Sequence, residues 1–158
     1  MIEIKKAGVE QAGIIKKVMH ESFKEYNHFD PPSGAMKETE ESIALSLAAG
    51  EEWAAVLYEN GIPLGMIRVK EEDTRFYFMR LSVLPEARGR GYARALISWV
   101  EAEAEKAGKE EVYCKVRCTT EGNIRRYEKL GYRVYRTITV TKLGTPFDIV
   151  AMSKPLYT

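Results

Sequence analysis

The sequence predicts an α/β (α+β) fold: a single mixed, mostly antiparallel sheet of about six or seven strands, with helices on both faces. Strand-like and helix-like segments follow one another in the order β, α, α, three strands, α, β, α, two strands. The segment 75–84 is apolar on both faces, as in a central strand. The chain has 158 residues, of which 45% are hydrophobic and 30% charged, so we expect one domain over residues 1–158.

The first elements follow from short patterns near the N-terminus. Residues 2–6 alternate weakly between polar and apolar side chains, as in a strand. Apolar side chains recur at helical spacing over 9–24, which predicts the first helix there. Thr39, followed by two glutamates, is typical of a helix N-terminus, and Gly50 ends that helix.

The central strands are joined by a tight turn. Asn60 and Gly61 tolerate positive φ, which predicts a hairpin between strands at 53–58 and 62–70. Apolar positions at offsets 0, 3, 4, 7 and 11 predict a helix that starts after Gly91. Alternation and helical spacing predict the remaining elements, which are a strand at 112–116, a helix at 123–130 and strands at 133–141 and 147–154.

Charge and composition exclude several classes of protein. The 24 basic and 23 acidic residues give a net charge of +1, so we expect no nucleic-acid partner. No apolar run approaches the roughly 18 residues of a membrane span, and the N-terminus lacks a signal-peptide pattern, so we expect a cytoplasmic protein with no membrane partner. Two cysteines and two distant histidines predict no metal site.

A glycine-rich turn stands between the central strand and the following helix. It consists of Arg88, Gly89, Arg90, Gly91, Tyr92 and Ala93. Peptide N–H groups at a helix start lack intrahelical partners, and glycine removes the Cβ that would keep an anion away. This geometry suits a phosphate or pyrophosphate. The turn matches neither the P-loop nor the Rossmann pattern. Two alternative interpretations are a plain tight turn with solvated arginines and an RG-type contact to nucleic acid.

With this turn, the sequence resembles the GNAT superfamily of acyl-CoA-dependent N-acetyltransferases. The family's pyrophosphate motif corresponds to Arg88-x-x-Gly91-x-Ala93. The segment 127–132 is similar to the late-helix motif of the family, and 151–154 to its last strand. The resemblance covers essentially the whole chain and implies acetyl transfer from acetyl-CoA, without a metal, to a small-molecule or peptide amine.

The resemblance also implies roles for individual residues. Residues 88–93 would hold the cofactor diphosphate, and Leu81 and Val83 would contact the cofactor along the central strand. Tyr127 would be the general acid that protonates the CoA thiolate. The commoner family spacing places an asparagine where this chain has Thr120; Asn123 lies four residues before Tyr127, on the same helical face, so we expect Asn123 to contact the cofactor.

Several questions stay open at the level of sequence. The candidates for a general base are His20, Glu21, Glu25, His28, Glu72 and Asp73. Acidic residues around the loop 27–36 weakly favour a cationic acceptor, and that loop is a candidate acceptor-side segment. The alternative function is a non-catalytic CoA-binding regulatory module. An unpaired sheet edge would allow a homodimer.

Overall fold

The computed structural model describes residues 1–24, 34–119 and 121–156, which form one mixed sheet with helices on both faces. The strands are Ile2–Ala7 (β1), Trp53–Glu59 (β2), Ile62–Glu71 (β3), Arg75–Val83 (β4), Glu111–Arg117 (β5), Arg133–Lys142 (β6) and Thr145–Pro155 (β7). The helices are Ala12–Phe23 (α1), Glu40–Ala48 (α2), Tyr92–Lys106 (α3) and Glu121–Lys129 (α4). This architecture confirms the predicted fold class and the predicted order of elements.

The sheet has the strand order β1-β2-β3-β4-β5-β7-β6. All neighbouring strands are antiparallel except β4 and β5, which are parallel and connected through α3. The parallel ladder contains only three residue pairs, from Arg75↔Glu111 to Tyr77↔Tyr113. The sheet therefore consists of two well-paired parts joined by a short ladder at its centre.

Each face of the sheet carries its own hydrophobic core. On one face α3 buries Leu96, Ile97 and Val100 against the strands, at the helical spacing that the sequence predicts. On the other face α1 packs Ile15 and Met19 against β2 and β3. Within the described residues, no helix has both the length and the apolar character needed to cross a membrane.

Two local differences from the sequence prediction lie at the start of the chain. The first helix begins later than expected, because Val9–Gln11 forms a separate 3₁₀ turn before α1. In the predicted loop 27–36, residues 27–33 lie outside the described residues, and the rest belongs to a second 3₁₀ turn, Gly34–Lys37.

Candidate functional site

A cleft of about 610 Å³ opens where β4 and β5 separate. The two strands pair only as far as Tyr77 and Tyr113, and the later residues of each strand line the opening. The glycine-rich turn, the first turn of α3 and one face of α4 complete the walls. Because the strands stay unpaired there, a ligand can lie between them in the plane of the sheet.

The start of α3 presents peptide donors to this cleft. Gly91 is the N-cap, with φ 81°, and offers no side chain to cap the helix. The N–H groups of 92–94 precede the first intrahelical bond, and the first turn contains no acidic residue. A Cβ built at Gly89 or at Gly91 would meet no atom within 4 Å. The open space, the donors and the positive end of the helix dipole fit a diphosphate.

The side chains of the turn brace it against its neighbours. Arg88 donates from Nε to the Val83 carbonyl (3.3 Å) and from Nη2 to the Ser22 carbonyl (3.1 Å), which ties the turn to β4 and α1. Arg90 instead reaches Glu59 at the end of β2, with Nη1 3.1 Å from Oε2. Of the residues that the sequence assigns to the turn, Arg90 alone does not line the cleft.

The Tyr92 hydroxyl donates to the same Glu59 carboxylate at 2.8 Å, although its side chain also forms part of the cleft wall. Ala93 is half-buried beside it. Neighbouring residues thus hold the side chains of Arg88, Arg90 and Tyr92, and the backbone N–H groups at the start of α3 stay without intrahelical partners.

A β-bulge interrupts β4 beside the cleft. The register shifts so that Arg80 and Leu81 together oppose Ile67 of β3, and Arg80 has a φ of 55°, which is unusual for a residue with a Cβ. The Ser82 hydroxyl donates to the Arg80 carbonyl at 2.9 Å and supports this conformation. A bulge leaves one residue of the ladder without a regular partner, and here it lies where β4 borders the cleft.

Tyr127 and Asn123 extend the wall along α4, and both line the cleft. The Tyr127 ring packs edge-on against Phe78 of β4, with 5.9 Å between ring centroids. The Asn123 Oδ1 accepts a hydrogen bond from Arg126 at 3.1 Å. Thr120, the other candidate cofactor contact, lies outside the described residues. The structure thus brings Leu81, Val83, Gly91, Asn123 and Tyr127 to one cleft.

The cleft is strongly basic, which the net charge of +1 conceals. Six basic side chains line it, and none of its described lining residues is acidic. The six are Arg80, Arg88, Arg94, Lys115, Arg117 and Arg126. The charge of the site could not be predicted from the sequence, because these residues come from four separate elements and from the glycine-rich turn.

The four candidate general bases that the structure describes, His20, Glu21, Glu72 and Asp73, do not line the cleft. His20 donates from Nε2 to the Glu38 carbonyl (2.9 Å), and Glu21 is paired with Lys24 at the surface. Desolvation by burial raises the pKa of Glu72, but hydrogen bonds from Tyr113 and Arg75 lower it more, so the net pKa lies below its usual value. Asp73 does not line the cleft, and Glu25 and His28 lie outside the described residues.

Cysteine chemistry is not supported by the geometry. Burial raises the pKa of the Cys114 thiol to about 12, so it is a weak nucleophile at neutral pH. Within the described ranges, no group of three or more His, Cys, Asp or Glu side chains is arranged to hold a metal ion.

Comparison with solved structures identifies the fold. The Escherichia coli ribosomal-protein-S18-alanine N-acetyltransferase superposes with a TM-score of 0.78 at 18% identity, over 100% of this chain and 96% of that chain. The Salmonella typhimurium protein yncA, solved with its cofactor acetyl-CoA, gives 0.79 at 19% identity, over 100% and 95%. The PaiA N-acetyltransferase of Thermoplasma acidophilum, in complex with coenzyme A, gives 0.76 at 20% identity, over 99% of each chain. The fold is therefore that of the acetyltransferase class.

The Acetyltransferase (GNAT) family model matches residues 16–132, and the chain belongs to this family. A search of curated proteins finds no match. The family resemblance drawn from the sequence is confirmed, and membership supports acetyl-CoA-dependent acetyl transfer as the general activity.

Proposed function

We propose that this protein is an N-acetyltransferase that transfers the acetyl group of acetyl-CoA to a primary amine by direct attack in a ternary complex. The observation that carries the proposal is the opening between β4 and β5, bordered by the peptide donors of α3 and by Tyr127. Acetyl-CoA supplies an activated acetyl group as a thioester. The protein's own residues must then bind the diphosphate, polarise a carbonyl and manage two protons.

Binding is assigned to the turn and its surroundings. The N–H groups at the start of α3 would hold the diphosphate, with Arg88 bracing the turn from behind. Arg94 and Arg126 line the same cleft and add positive charge near the phosphates. Asn123, held by Arg126, would orient the cofactor along α4.

Carbonyl polarisation is assigned to the backbone of β4. The bulge at Arg80 interrupts the ladder with β3 where Leu81 and Val83 line the cleft. A peptide N–H aimed at the oxygen that gains charge typically contributes about 2.7–4 kcal/mol to the transition state. In a regular strand, the backbone N–H groups at this position would form hydrogen bonds within the sheet. The bulge would leave one of them for the thioester carbonyl.

Proton handling sets the energetic demands. A lysine-like amine with a pKa of about 10.4 must lose a proton at pH 7, at a cost of about 4.6 kcal/mol, whereas an α-amino group with a pKa near 8 costs about 1.4 kcal/mol. Among the described residues of the cleft no carboxylate is positioned as a base, which favours acceptors of lower pKa or proton loss to water. Tyr127 would return a proton to the departing sulfur.

Replacing Tyr127 with phenylalanine should lower kcat by about 10²–10⁴-fold, the usual range for a lost general acid. The affinity for CoA should stay unchanged, because the substitution keeps the ring that packs on Phe78. The measurements are thiol release with an amine panel and calorimetric titration with CoA. Tyr135→Phe, on an exposed part of β6, is the matched control and should keep full activity.

An unchanged kcat in Tyr127→Phe would reject the acid role while leaving the fold assignment intact. If the wild-type protein binds CoA but releases no thiol with any amine, it is the non-catalytic CoA-binding module instead.

A further inference from the structure

Glu38 is bonded to three different elements of the fold. It follows the 3₁₀ turn Gly34–Lys37 and comes shortly before α2. One oxygen of its carboxylate accepts from Arg68 Nη1 at 2.7 Å, and the other accepts from Arg80 Nε at 2.9 Å. Its backbone carbonyl accepts from His20 Nε2 at 2.9 Å. This one residue therefore connects α1, β3 and β4.

The Arg68 side of this arrangement is fixed by burial. Arg68 is 3% exposed, and its Nε donates to the carboxylate of Glu52, which is also buried. Its register partner on β4 is Met79, the residue directly before Arg80. A planar guanidinium that binds two carboxylates in the interior has one available orientation. Glu38 is thus bound to a fixed donor on the strand that runs beside the bulge.

The Arg80 side is the place where β4 departs from regular geometry. Arg80 has a φ of 55°, which a residue with a Cβ keeps only when its surroundings hold it there. Glu38 holds its side chain, and the Ser82 hydroxyl donates to its carbonyl. In a planar trans peptide the N–H of the next residue points away from that carbonyl. The two contacts together therefore set the direction of the Leu81 N–H.

We propose that Glu38 is a positioning residue for acetyl transfer: by joining Arg80 to the buried Arg68, it holds the bulge of β4 in the conformation that presents a peptide N–H to the thioester carbonyl. This inference rests on the proposed function, which assigns carbonyl polarisation to that backbone. Glu38 does not line the cleft, whereas Arg80 does, so Glu38 acts through Arg80. A donor misplaced by about 1 Å can lower a rate by about 100-fold.

Glu38→Gln tests the proposal. The variant keeps the residue volume but loses the charge that binds two guanidinium groups at once. We expect kcat for thiol release from acetyl-CoA to fall by about 10- to 100-fold. The Kd of CoA, measured by calorimetry, should stay unchanged, because the donors assigned to the diphosphate lie at the start of α3. The acceptor is whichever of L-leucine, L-leucinamide, spermidine and trialanine the wild type acetylates fastest.

Glu52→Gln is the matched control. It makes the same substitution in the other carboxylate that binds Arg68, and Glu52 is the more buried of the two, with side-chain exposures of 4% and 22%. It should lower the free energy of unfolding in urea more than Glu38→Gln does. It should nevertheless leave kcat close to the wild-type value, since Glu38 still joins Arg68 to Arg80. A role confined to stability predicts the reverse order of the two kcat values.

A double-mutant cycle identifies the path of the effect. Arg80→Met breaks the same contact from its other end and should also lower kcat without changing CoA affinity. If Glu38 acts through Arg80, the double variant should be about as active as the less active single variant. A direct role of Glu38 in the reaction would instead multiply the two losses. Arg80→Met replaces Glu38→Gln in the first comparison if the latter does not accumulate as folded protein.

The outcomes separate this inference from the proposed function. The positioning role is wrong if kcat is unchanged when the contact between Glu38 and Arg80 is broken, if Glu52→Gln lowers kcat as much, or if the two losses multiply. Each of these results leaves an active N-acetyltransferase in place. A wild-type protein that binds CoA but releases no thiol with any amine would remove the proposed function and this inference together.

Discussion

Gly91→Glu should weaken CoA binding by about 100-fold or more, equivalent to a loss of about 2.7 kcal/mol. The substitution puts a carboxylate where the diphosphate is expected, against the N–H groups at the start of α3. It also fills the space that lies open around the Cβ position of this residue. Calorimetric titration with CoA measures the loss, and thiol-release activity should disappear in parallel.

The matched control for this variant is Gly108→Glu, at the other end of α3. Gly108 also has a positive φ, 75°, and a Cβ there would meet no atom within 4 Å. Both substitutions therefore carry a similar cost in backbone strain, about 1–2 kcal/mol, which thermal unfolding reports. Gly108→Glu should bind CoA normally. A Gly91→Glu protein that keeps normal CoA affinity would show that the diphosphate does not lie at this turn.

Arg68→Met should lower the free energy of unfolding by about 3–5 kcal/mol, because it removes one partner of a buried ion pair. Arg68 is 3% exposed and Glu52 6%, and the Arg68 Nε donates to the Glu52 carboxylate. A second nitrogen of Arg68 binds Glu38 at 2.7 Å. Without the guanidinium, the Glu52 carboxylate would stay buried and uncompensated. Urea denaturation followed by circular dichroism measures the change.

An exposed ion pair provides the comparison. Lys24→Met breaks the pair with Glu21, in which both side chains are largely exposed, and should cost no more than about 1 kcal/mol. If Arg68→Met does not accumulate as folded protein, Glu52→Gln replaces it, because this variant keeps the residue volume. Its loss in free energy of unfolding should be smaller than that of Arg68→Met but still larger than that of Lys24→Met. Equal stabilities of the buried-pair and exposed-pair variants would show that burial does not set the strength of this network.

The order of helices and strands could be predicted because local periodicity encodes it. The apolar spacing of α3 places Leu96, Ile97 and Val100 in the core, and all three are at most 2% exposed. The positive φ of Asn60 and Gly61 matches the hairpin expected from these two residue types. Such patterns depend on neighbours in sequence, so one chain is enough to read them.

The features that open the site could not be predicted in this way. Residues 75–84 give the pattern of an unbroken central strand, and nothing in it indicates the bulge at Arg80 or the end of pairing after Tyr77. Arg68 and Glu52 look like surface charges until the sheet packs against α1 and buries them together. Such features depend on contacts between residues far apart in sequence, and tertiary packing alone determines them.

The short ladder between β4 and β5 makes the fold a candidate for stabilisation by its own cosubstrate. Only three residue pairs connect the backbones of β4 and β5, and a ligand lying in the gap would bridge the two strands. Any molecule that binds only the folded state shifts the folding equilibrium by mass action, by about 2.7 kcal/mol at a concentration 100 times its Kd. A bound cosubstrate would therefore raise the midpoint of thermal unfolding, by an amount that grows with its concentration.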